Sequence, residues 1–190
     1  MTRLAALAML AVALCGCASP ALAGTDLQKR AAPDFTLTDG PTGQPVTLSG
    51  LRGKVVVLTF LYTSCADVCP LTAEKLRNAR DRVGAPGDLA LVAVSVDPRN
   101  DTPQATRDFV HAHRLDGAMR YLVGDEQSLA RVWQLYGIAA FAGSGASVEH
   151  NDAIYLIDRQ GRGRSLVHSD VDIDALASSF RVLLAESRFF

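Results

Sequence analysis

The pattern of apolar and polar positions predicts strands that alternate with helices. Two mainly apolar segments rich in β-branched residues, Val55–Leu61 and 88–96, are typical of central strands that are covered on both faces. Shorter apolar runs at Met119–Val123 and 153–158 predict two further strands. Between and after these strands, the spacing of apolar residues predicts helices over residues 71–83, 103–114, 126–136 and 170–186. Strands that alternate with helices indicate an α/β fold with a layered sheet and crossover connections.

Four other segments complete this organisation. Alternation at 35–40 and 46–48, around a turn with glycine and proline, predicts an N-terminal hairpin, and Gly163–Val167 is the predicted hairpin partner of strand 153–158. Residues 24–34 are polar and predict a linker, so the domain is expected to span residues 35–190. Residues 137–149 contain three glycines and predict a mobile loop.

Residues 1–23 have the pattern of an export signal. One arginine precedes eleven consecutive apolar residues at 4–14, a run too short to cross a hydrocarbon layer of about 30 Å. Cleavage before Cys17, in a Leu-Cys-Gly-Cys sequence that resembles a bacterial lipobox, would attach a lipid to Cys17. Cleavage after Ala23 and retention of the uncharged stretch 4–25 as an anchor are the alternatives. Each outcome predicts a periplasmic or otherwise extracytoplasmic domain, in a compartment where thiols oxidise.

Composition narrows the function classes. The 190 residues are 48% hydrophobic, which is enough for a globular core and excludes a disordered chain. Lys and Arg number 19 against 20 Asp and Glu, so the net charge is −1 and no basic run indicates nucleic acid as a partner. Four cysteines are too few for a disulfide-dense scaffold. Function is therefore expected to depend on a local site.

The candidate site contains a pair of cysteines. Cys65 and Cys69 follow directly on the strand Val55–Leu61, and ligands of open α/β sheets bind beyond the carboxyl ends of the strands. Pro70 favours a non-helical Cys69 and a helix that starts just after it. A helix N-terminus stabilises a thiolate. The two thiols can therefore form a disulfide or bind a soft metal, which for sulfur ligands means Cu(I) or zinc.

One of the four histidines is the candidate third ligand. His150 stands immediately before the strand 153–158, at the end of the predicted loop, and two sulfurs with one imidazole suit three-coordinate copper. His111 and His113 are predicted to be solvated helix positions. Asp67 and Asp97 are candidates to support the site without binding the metal. Each has a simpler alternative role, because Asp67 could cap the following helix and Asp97 could cap the turn after its strand.

Five segments together resemble the SCO/SenC family over residues 33–184. They read Pro-Asp-Phe-x-Leu from residue 33, Leu-Arg-Gly-Lys-Val from 51, Tyr-Thr-x-Cys-x-Asp-Val-Cys-Pro from 62, Ser-Val-Asp-Pro-x-x-Asp-Thr-Pro from 95, and Tyr-Leu-Ile-Asp from 155, shortly after His150. The cysteine motif and the Asp-Thr-Pro motif are specific as a pair. The chain departs from the family pattern at Ala66, where proline is common, and this change removes no ligand.

The resemblance implies a thioredoxin-like fold, with a central mixed sheet flanked by helices and an N-terminal β-hairpin extension. It implies a copper metallochaperone that carries copper on Cys65, Cys69 and His150. The expected partner is the copper-receiving subunit of cytochrome c oxidase, whose copper site would receive the metal or have its cysteines reduced. A thioredoxin-like reductase is expected to keep the two cysteines reduced, and association with the membrane is expected through a lipid or an uncleaved N-terminus. A protein of this kind carries a metal and is not an enzyme with turnover.

Three other interpretations fit less well. A thiol-disulfide oxidoreductase of the thioredoxin superfamily is the main alternative, but those enzymes separate their cysteines by two residues and place a proline near the position that His150 occupies. A peroxiredoxin needs a threonine three residues before its cysteine, where Ala66 stands. A structural zinc site needs a fourth ligand.

Overall fold

The computed structural model describes residues 21–142 and 148–186, which form a mixed α/β structure. Eight of the described strands make one sheet in the order β1-β10-β9-β4-β5-β6-β2-β3, and β7 and β8 pair only with each other. The strands are β1 (Thr25–Asp26), β2 (Thr36–Asp39), β3 (Pro45–Thr47), β4 (Val55–Leu61), β5 (Leu89–Ser95), β6 (Met119–Val123), β7 (Ala140–Ala142), β8 (Val148–His150), β9 (Ile154–Ile157) and β10 (Gly163–Val167). The helices are α1 (Val68–Asp81), α2 (Pro103–Ala112), α3 (Glu126–Leu135) and α4 (Ile173–Ala185), and a short 3₁₀ helix spans Leu48–Leu51.

The central strands are the two that the apolar runs predict. All seven residues of β4 are buried, and β4 and β6 pair in parallel with β5 on its two sides. The other ladders of the large sheet are antiparallel. The hairpin β9–β10 pairs with β4 on one side, with β1 beyond it, and the hairpin β2–β3 pairs with β6 on the other. Helix α4 packs on β4 and on α1, whereas α2 packs on β6. The predicted α/β class with a mixed sheet and an N-terminal hairpin is confirmed.

Side-chain caps explain where three helices begin. The Thr102 hydroxyl accepts from the N–H of Ala105 at 3.1 Å, and Pro103 occupies the first turn of α2. Asp125 and Asp172 cap α3 and α4 in the same way through their carboxylates. Capping satisfies N–H groups that have no partner within the helix.

The helix after the cysteine motif starts earlier than predicted. Helix α1 begins at Val68, so Cys69 and Pro70 both lie in its first turn, and the expectation of a non-helical Cys69 is wrong. Proline is tolerated there because the N–H groups of a first turn have no partner within the helix. The preference of the residue before proline for extended backbone is only a bias.

Residues 24–34 are part of the fold, and the prediction of a plain linker is wrong. Strand β1 pairs with β10, with Thr25 opposite Leu166, and Ala31 forms a β-bridge with Arg162. Gly24 has φ +85°, and a Cβ there would collide with the Leu166 carbonyl. The polar side chains of β1 are exposed at the sheet edge, so the hydrophobic pattern does not distinguish this strand from a linker.

Part of the predicted mobile loop is a small sheet. Strands β7 and β8 pair antiparallel, with Ala140 opposite His150, while residues 143–147 lie outside the described residues.

The predicted signal and Cys17 also lie outside the described residues, apart from residues 21–23. Within the described part of the chain, no helix is long and apolar enough to cross a membrane.

Candidate metal centre

The two cysteines lie side by side where β4 leads into α1. Cys69 is in the first turn of the helix and is only 1% exposed, whereas Cys65 is half-buried in the loop before it. The backbone N–H of Cys69 donates to the Cys65 sulfur at 3.4 Å, and neither thiol is in a disulfide. The structure therefore presents a reduced dithiol with one accessible and one covered sulfur.

The accessible sulfur is the more acidic of the two. Burial acts to raise the pKa of Cys65, but hydrogen bonds from the backbone of Cys69 and Asp67, and from the Cys69 thiol and the Tyr62 hydroxyl, outweigh burial and lower this pKa. Each of these donors stabilises negative charge on the sulfur. Cys65 is therefore the better nucleophile, and its sulfur is the more available of the two to an electrophile or a soft metal.

The buried sulfur retains its proton. Burial is the largest cause that raises the pKa of Cys69, and the hydrogen bond to Cys65 and the negative charges of Cys65 and Asp101 raise it further. The thiol therefore donates a hydrogen bond to the Cys65 sulfur. The two sulfurs differ in acidity: the more acidic one is half-buried near the surface, and the less acidic one is covered beneath it.

His150 ends the small sheet and is half-buried. Its Nδ1 lies 3.0 Å from the carbonyl oxygen of Asn151. A carbonyl only accepts, so Nδ1 carries the proton and Nε2 of the neutral ring has a free lone pair. This tautomer is the one that a metal-binding imidazole requires when it coordinates through Nε2.

Tyr62 connects the histidine to the cysteines, and sequence reasoning missed it. Its ring meets the His150 ring edge-on, with the centroids 5.9 Å apart. Its hydroxyl hydrogen-bonds to the Cys65 sulfur and to the backbone of Val148 in β8, and burial is the largest cause that raises the pKa of Tyr62. The residue is part of the cysteine motif, but nothing in the local sequence shows that its hydroxyl faces a sulfur.

The three predicted ligands are linked in pairs. Cys65 contacts Cys69 directly, and Tyr62 contacts both Cys65 and His150. Across residues 21–142 and 148–186, no three His, Cys, Asp or Glu side chains lie together closely enough to hold a metal ion. The dithiol is thus assembled in this structure, and His150 is its neighbour through Tyr62.

The two candidate supporting carboxylates have different positions. Asp67 occupies the N-cap position of α1 and is exposed, but its side chain accepts no capping hydrogen bond, so the predicted cap is wrong. Asp97 is buried after β5, and its carboxylate accepts from the Asn100 side chain at 2.7 Å. Its carbonyl accepts from the N–H groups of Asn100 and Asp101, so Asp97 stabilises the turn that leads to α2.

Asp101 is a second residue that sequence reasoning missed. It is 4% exposed and accepts hydrogen bonds from Thr63, just before Cys65, and from Ser95 at the end of β5. Burial is the largest cause that raises the pKa of Asp101, and the bonds from Ser95 and Thr63 oppose it. The sequence signal for this residue is the Asp-Thr-Pro motif, but the motif alone does not show that the carboxylate faces Thr63 and Ser95.

The remaining three histidines each contact residues other than the two cysteines. His111 is exposed beside Asp116, as predicted. His113 is largely buried, with its ring 4.5 Å from that of Phe109, so the expectation of a solvated position is wrong for it. His168 is exposed, and its Nδ1 lies 2.8 Å from the carbonyl of Asp152.

Comparison with known proteins places this chain in a family. The sequence model of the SCO1/SenC family matches residues 23–185. The mitochondrial SCO2 homologue of Mus musculus is 33% identical over 138 residues, which cover 67% of this chain and 52% of the mouse protein.

Two solved structures agree with this match over most of the fold. Arabidopsis thaliana ScoI with copper bound superposes with a TM-score of 0.74 at 25% identity and covers 82% of this chain and 99% of its own. Bradyrhizobium japonicum ScoI with copper bound gives 0.71 at 28% identity and covers 80% and 99%. The predicted thioredoxin-like fold is confirmed, and the chain belongs to the SCO1/SenC family.

Proposed function

We propose that the protein is a copper metallochaperone that binds one copper ion through Cys65, Cys69 and His150. The observation that carries the proposal is the reduced dithiol, in which an accessible Cys65 of lowered pKa contacts a second sulfur. Two soft sulfurs in contact favour Cu(I) over harder cations. The copper-bound structures of two similar proteins support the same cargo.

Loading and release are proton-coupled in this scheme. Copper first meets the Cys65 thiolate, and the Cys69 thiol gives up its proton as its sulfur joins the metal. On transfer, thiolates of the acceptor replace these ligands one at a time, and Cys69 takes up a proton again. Copper keeps its charge throughout, so no oxidant or reductant is required. The acceptor that we propose is the copper-receiving subunit of cytochrome c oxidase.

His150 is the ligand that must approach the sulfurs. It ends β8, and β8 pairs only with β7 among the described strands, so a shift of this small sheet breaks no hydrogen bond of the eight-stranded sheet. The Tyr62 hydroxyl contacts both Cys65 and the backbone of Val148. Copper that binds Cys65 competes with the Tyr62 hydroxyl for the Cys65 sulfur. Once the hydroxyl leaves the sulfur, the end of β8 is free to move and to bring Nε2 of His150 to the metal.

Exposed apolar side chains near both halves of the site support docking of a protein acceptor. Val68 and Leu71 in the first turn of α1 are 46% and 61% exposed, and Phe141 in β7 is 67% exposed. Phe141 pairs with Glu149, next to His150. Burial of these side chains against a partner would stabilise the complex by roughly 25 cal/mol per Å² of apolar surface removed from water.

Replacement of His150 by alanine tests the ligand set. We expect His150→Ala to weaken copper binding about 10- to 100-fold, less than loss of a sulfur, because imidazole is a harder ligand than thiolate for Cu(I) and the dithiol remains. His168→Ala is the matched control, since His168 is also a partly solvated histidine whose Nδ1 faces a backbone carbonyl. The measurement is competition for copper against a chromogenic chelator, with circular dichroism to verify folding.

Equal copper affinities of the His150→Ala variant and the parent would exclude His150 as a ligand. Equal loss of copper affinity in His150→Ala and His168→Ala would show that the effect does not depend on the position of the histidine. Either result would leave a copper site made of the two cysteines without His150.

A second function, thiol-disulfide reduction, is favoured by the difference in pKa between the two cysteines. An accessible thiolate at Cys65 can attack a partner disulfide, and the Cys69 sulfur can then displace the partner. Two electrons pass to the partner, whose disulfide becomes two thiols, while Cys65 and Cys69 become a disulfide. A thioredoxin-like reductase would then have to restore the dithiol. Trapping of a mixed disulfide by a Cys69→Ser variant distinguishes this reaction from copper transfer.

We also propose that the protein acts outside the cytoplasmic membrane and is anchored through Cys17. The N–H of Ala23 donates to the buried Ser179 hydroxyl at 3.0 Å, its carbonyl accepts from the Ser165 hydroxyl, and Leu22 packs against the core. Cleavage after Ala23 would remove these contacts. Cleavage before Cys17 keeps them, which favours the lipobox over the later site.

The contacts of residues 22 and 23 predict a stability difference between the two cleaved forms. A chain that starts at Gly24 should unfold about 1–3 kcal/mol more easily than one that starts at Ala18, because Ser179 and Ser165 lose partners. A chain that starts at Ala21 is the control and should match the longer one. Denaturant unfolding measures the difference, and equal stability of all three chains would remove the structural support for the lipobox.

A further inference from the structure

We propose that Asp101 is a positioning residue of the candidate copper site, a buried carboxylate that holds the loop bearing Cys65 against the ends of the central strands. The inference deepens the proposed function, on which its copper measurements rest. It assigns a role to the aspartate that begins the Asp-Thr-Pro motif. No part of it requires Asp101 to touch the metal.

The four donors around Asp101 come from two sides. Oδ1 accepts from the Thr63 backbone N–H at 2.8 Å and from the Thr63 hydroxyl at 2.7 Å. Oδ2 accepts from the Ser95 hydroxyl at 2.6 Å and from the Tyr121 hydroxyl at 3.3 Å. Thr63 follows β4, Ser95 ends β5 and Tyr121 lies in β6. One carboxylate thus ties the cysteine loop to two neighbouring strands.

The burial and the complete hydrogen bonding of Asp101 make this connection strong. Each of the four groups can donate a hydrogen, and the two carboxyl oxygens of Asp101 accept all four bonds. Loss of a buried acceptor would leave its donors without a partner, which is costly for each of them. The carboxylate is 4% exposed, so solvent does little to compete for it. A loop held in this way has little freedom to move Thr63.

Thr63 transmits its position to the site through its neighbours in the chain. The preceding residue, Tyr62, contacts both Cys65 and His150. The N–H of Cys65 donates to the Tyr62 carbonyl at 3.4 Å, which closes a tight turn around Thr63. The carboxylate that fixes Thr63 therefore fixes the direction of both the Cys65 sulfur and the Tyr62 hydroxyl.

A purely structural role for Asp101 predicts something different. If the Asp101 carboxylate only stabilised the fold, removal of a donor to either oxygen would change copper affinity in proportion to the free energy of unfolding that is lost. If the carboxylate positions the cysteine loop, only removal of the Thr63 donor would change copper affinity. Thr63→Val and Tyr121→Phe form a matched pair, because each removes one hydroxyl donor from a different oxygen of Asp101.

The experiment compares Asp101→Asn, Thr63→Val and Tyr121→Phe with the parent in two measurements. The first is hydrogen exchange of the Thr63 and Cys65 amides in the copper-free protein. We expect exchange about tenfold faster in the first two variants and within about twofold of the parent in Tyr121→Phe. The second is Cu(I) affinity by chelator competition, expected about tenfold weaker in the first two and within about twofold in the third, as for other residues that orient metal ligands.

Each outcome decides the inference. Equal effects of Thr63→Val and Tyr121→Phe, or unchanged exchange at the cysteine loop in Asp101→Asn, would overturn it. If Asp101→Asn fails to fold, the matched pair still decides through the first measurement. Failure of the parent to bind copper would overturn the proposed function instead, and the exchange measurement would continue to test the positioning role by itself.

Discussion

Replacement of Cys65 or Cys69 by serine is expected to lower the affinity for Cu(I) by about 10²–10³-fold, the largest effect expected of any single substitution. Sites with four thiolate or imidazole ligands bind zinc with roughly 10–16 kcal/mol, an average of about 2.5–4 kcal/mol per ligand, and soft sulfur is expected to contribute more than imidazole to Cu(I) affinity. Cys69→Ser preserves a donor for the hydrogen bond to Cys65 but removes the soft sulfur. The fall in Cu(I) affinity therefore measures the loss of a metal ligand more than a change in packing.

Chelator competition on the reduced protein measures this loss. Ser64→Ala is the control, because Ser64 is exposed in the same loop and directly precedes Cys65. Its affinity should equal that of the parent. If Cys69→Ser bound copper as tightly as the parent, the buried sulfur would not be a ligand, and the reductase function would gain support.

The second large effect concerns the reactivity of the two thiols. At neutral pH, iodoacetamide should modify Cys65 at least about 100-fold faster than Cys69, because only thiolates react and the two pKa values are shifted in opposite directions. The Cys65 rate should fall as the pH drops through its lowered pKa, since protonation removes the nucleophile. Burial of Cys69 adds a steric barrier in the same direction.

Tyr62→Phe sharpens this prediction. Loss of the hydroxyl that hydrogen-bonds to the Cys65 sulfur should raise the pKa of Cys65, so modification slows on the acidic side of the profile and is unchanged well above it. Tyr155→Phe is the control, because that hydroxyl donates to the Tyr136 carbonyl. Mass spectrometry over a pH series gives both profiles. A Tyr62→Phe profile that overlays the parent would exclude the hydroxyl as a cause of the acidity of Cys65.

Local patterns predict most of the secondary structure of this fold. The bounds predicted for β4, β6 and β10 agree with the structure, and α2 begins at Pro103 as predicted. Apolar runs and caps act within a few residues of the chain, so they can be recognised without knowledge of the fold. The edge strand β1 was missed because its pairing with β10 leaves no hydrophobic signature.

The sequence by itself determined the α/β class, the family resemblance and the two cysteines at the end of a central strand. The tertiary structure decided which sulfur is acidic, because burial and hydrogen bonds from Tyr62 and the turn of α1 shift the two pKa values apart. It also placed His150 against Tyr62 and Asp101 beneath Thr63. These contacts join residues that are 88 and 38 positions apart in the chain. Such pairs meet only when strands assemble into a sheet, so no local pattern encodes them.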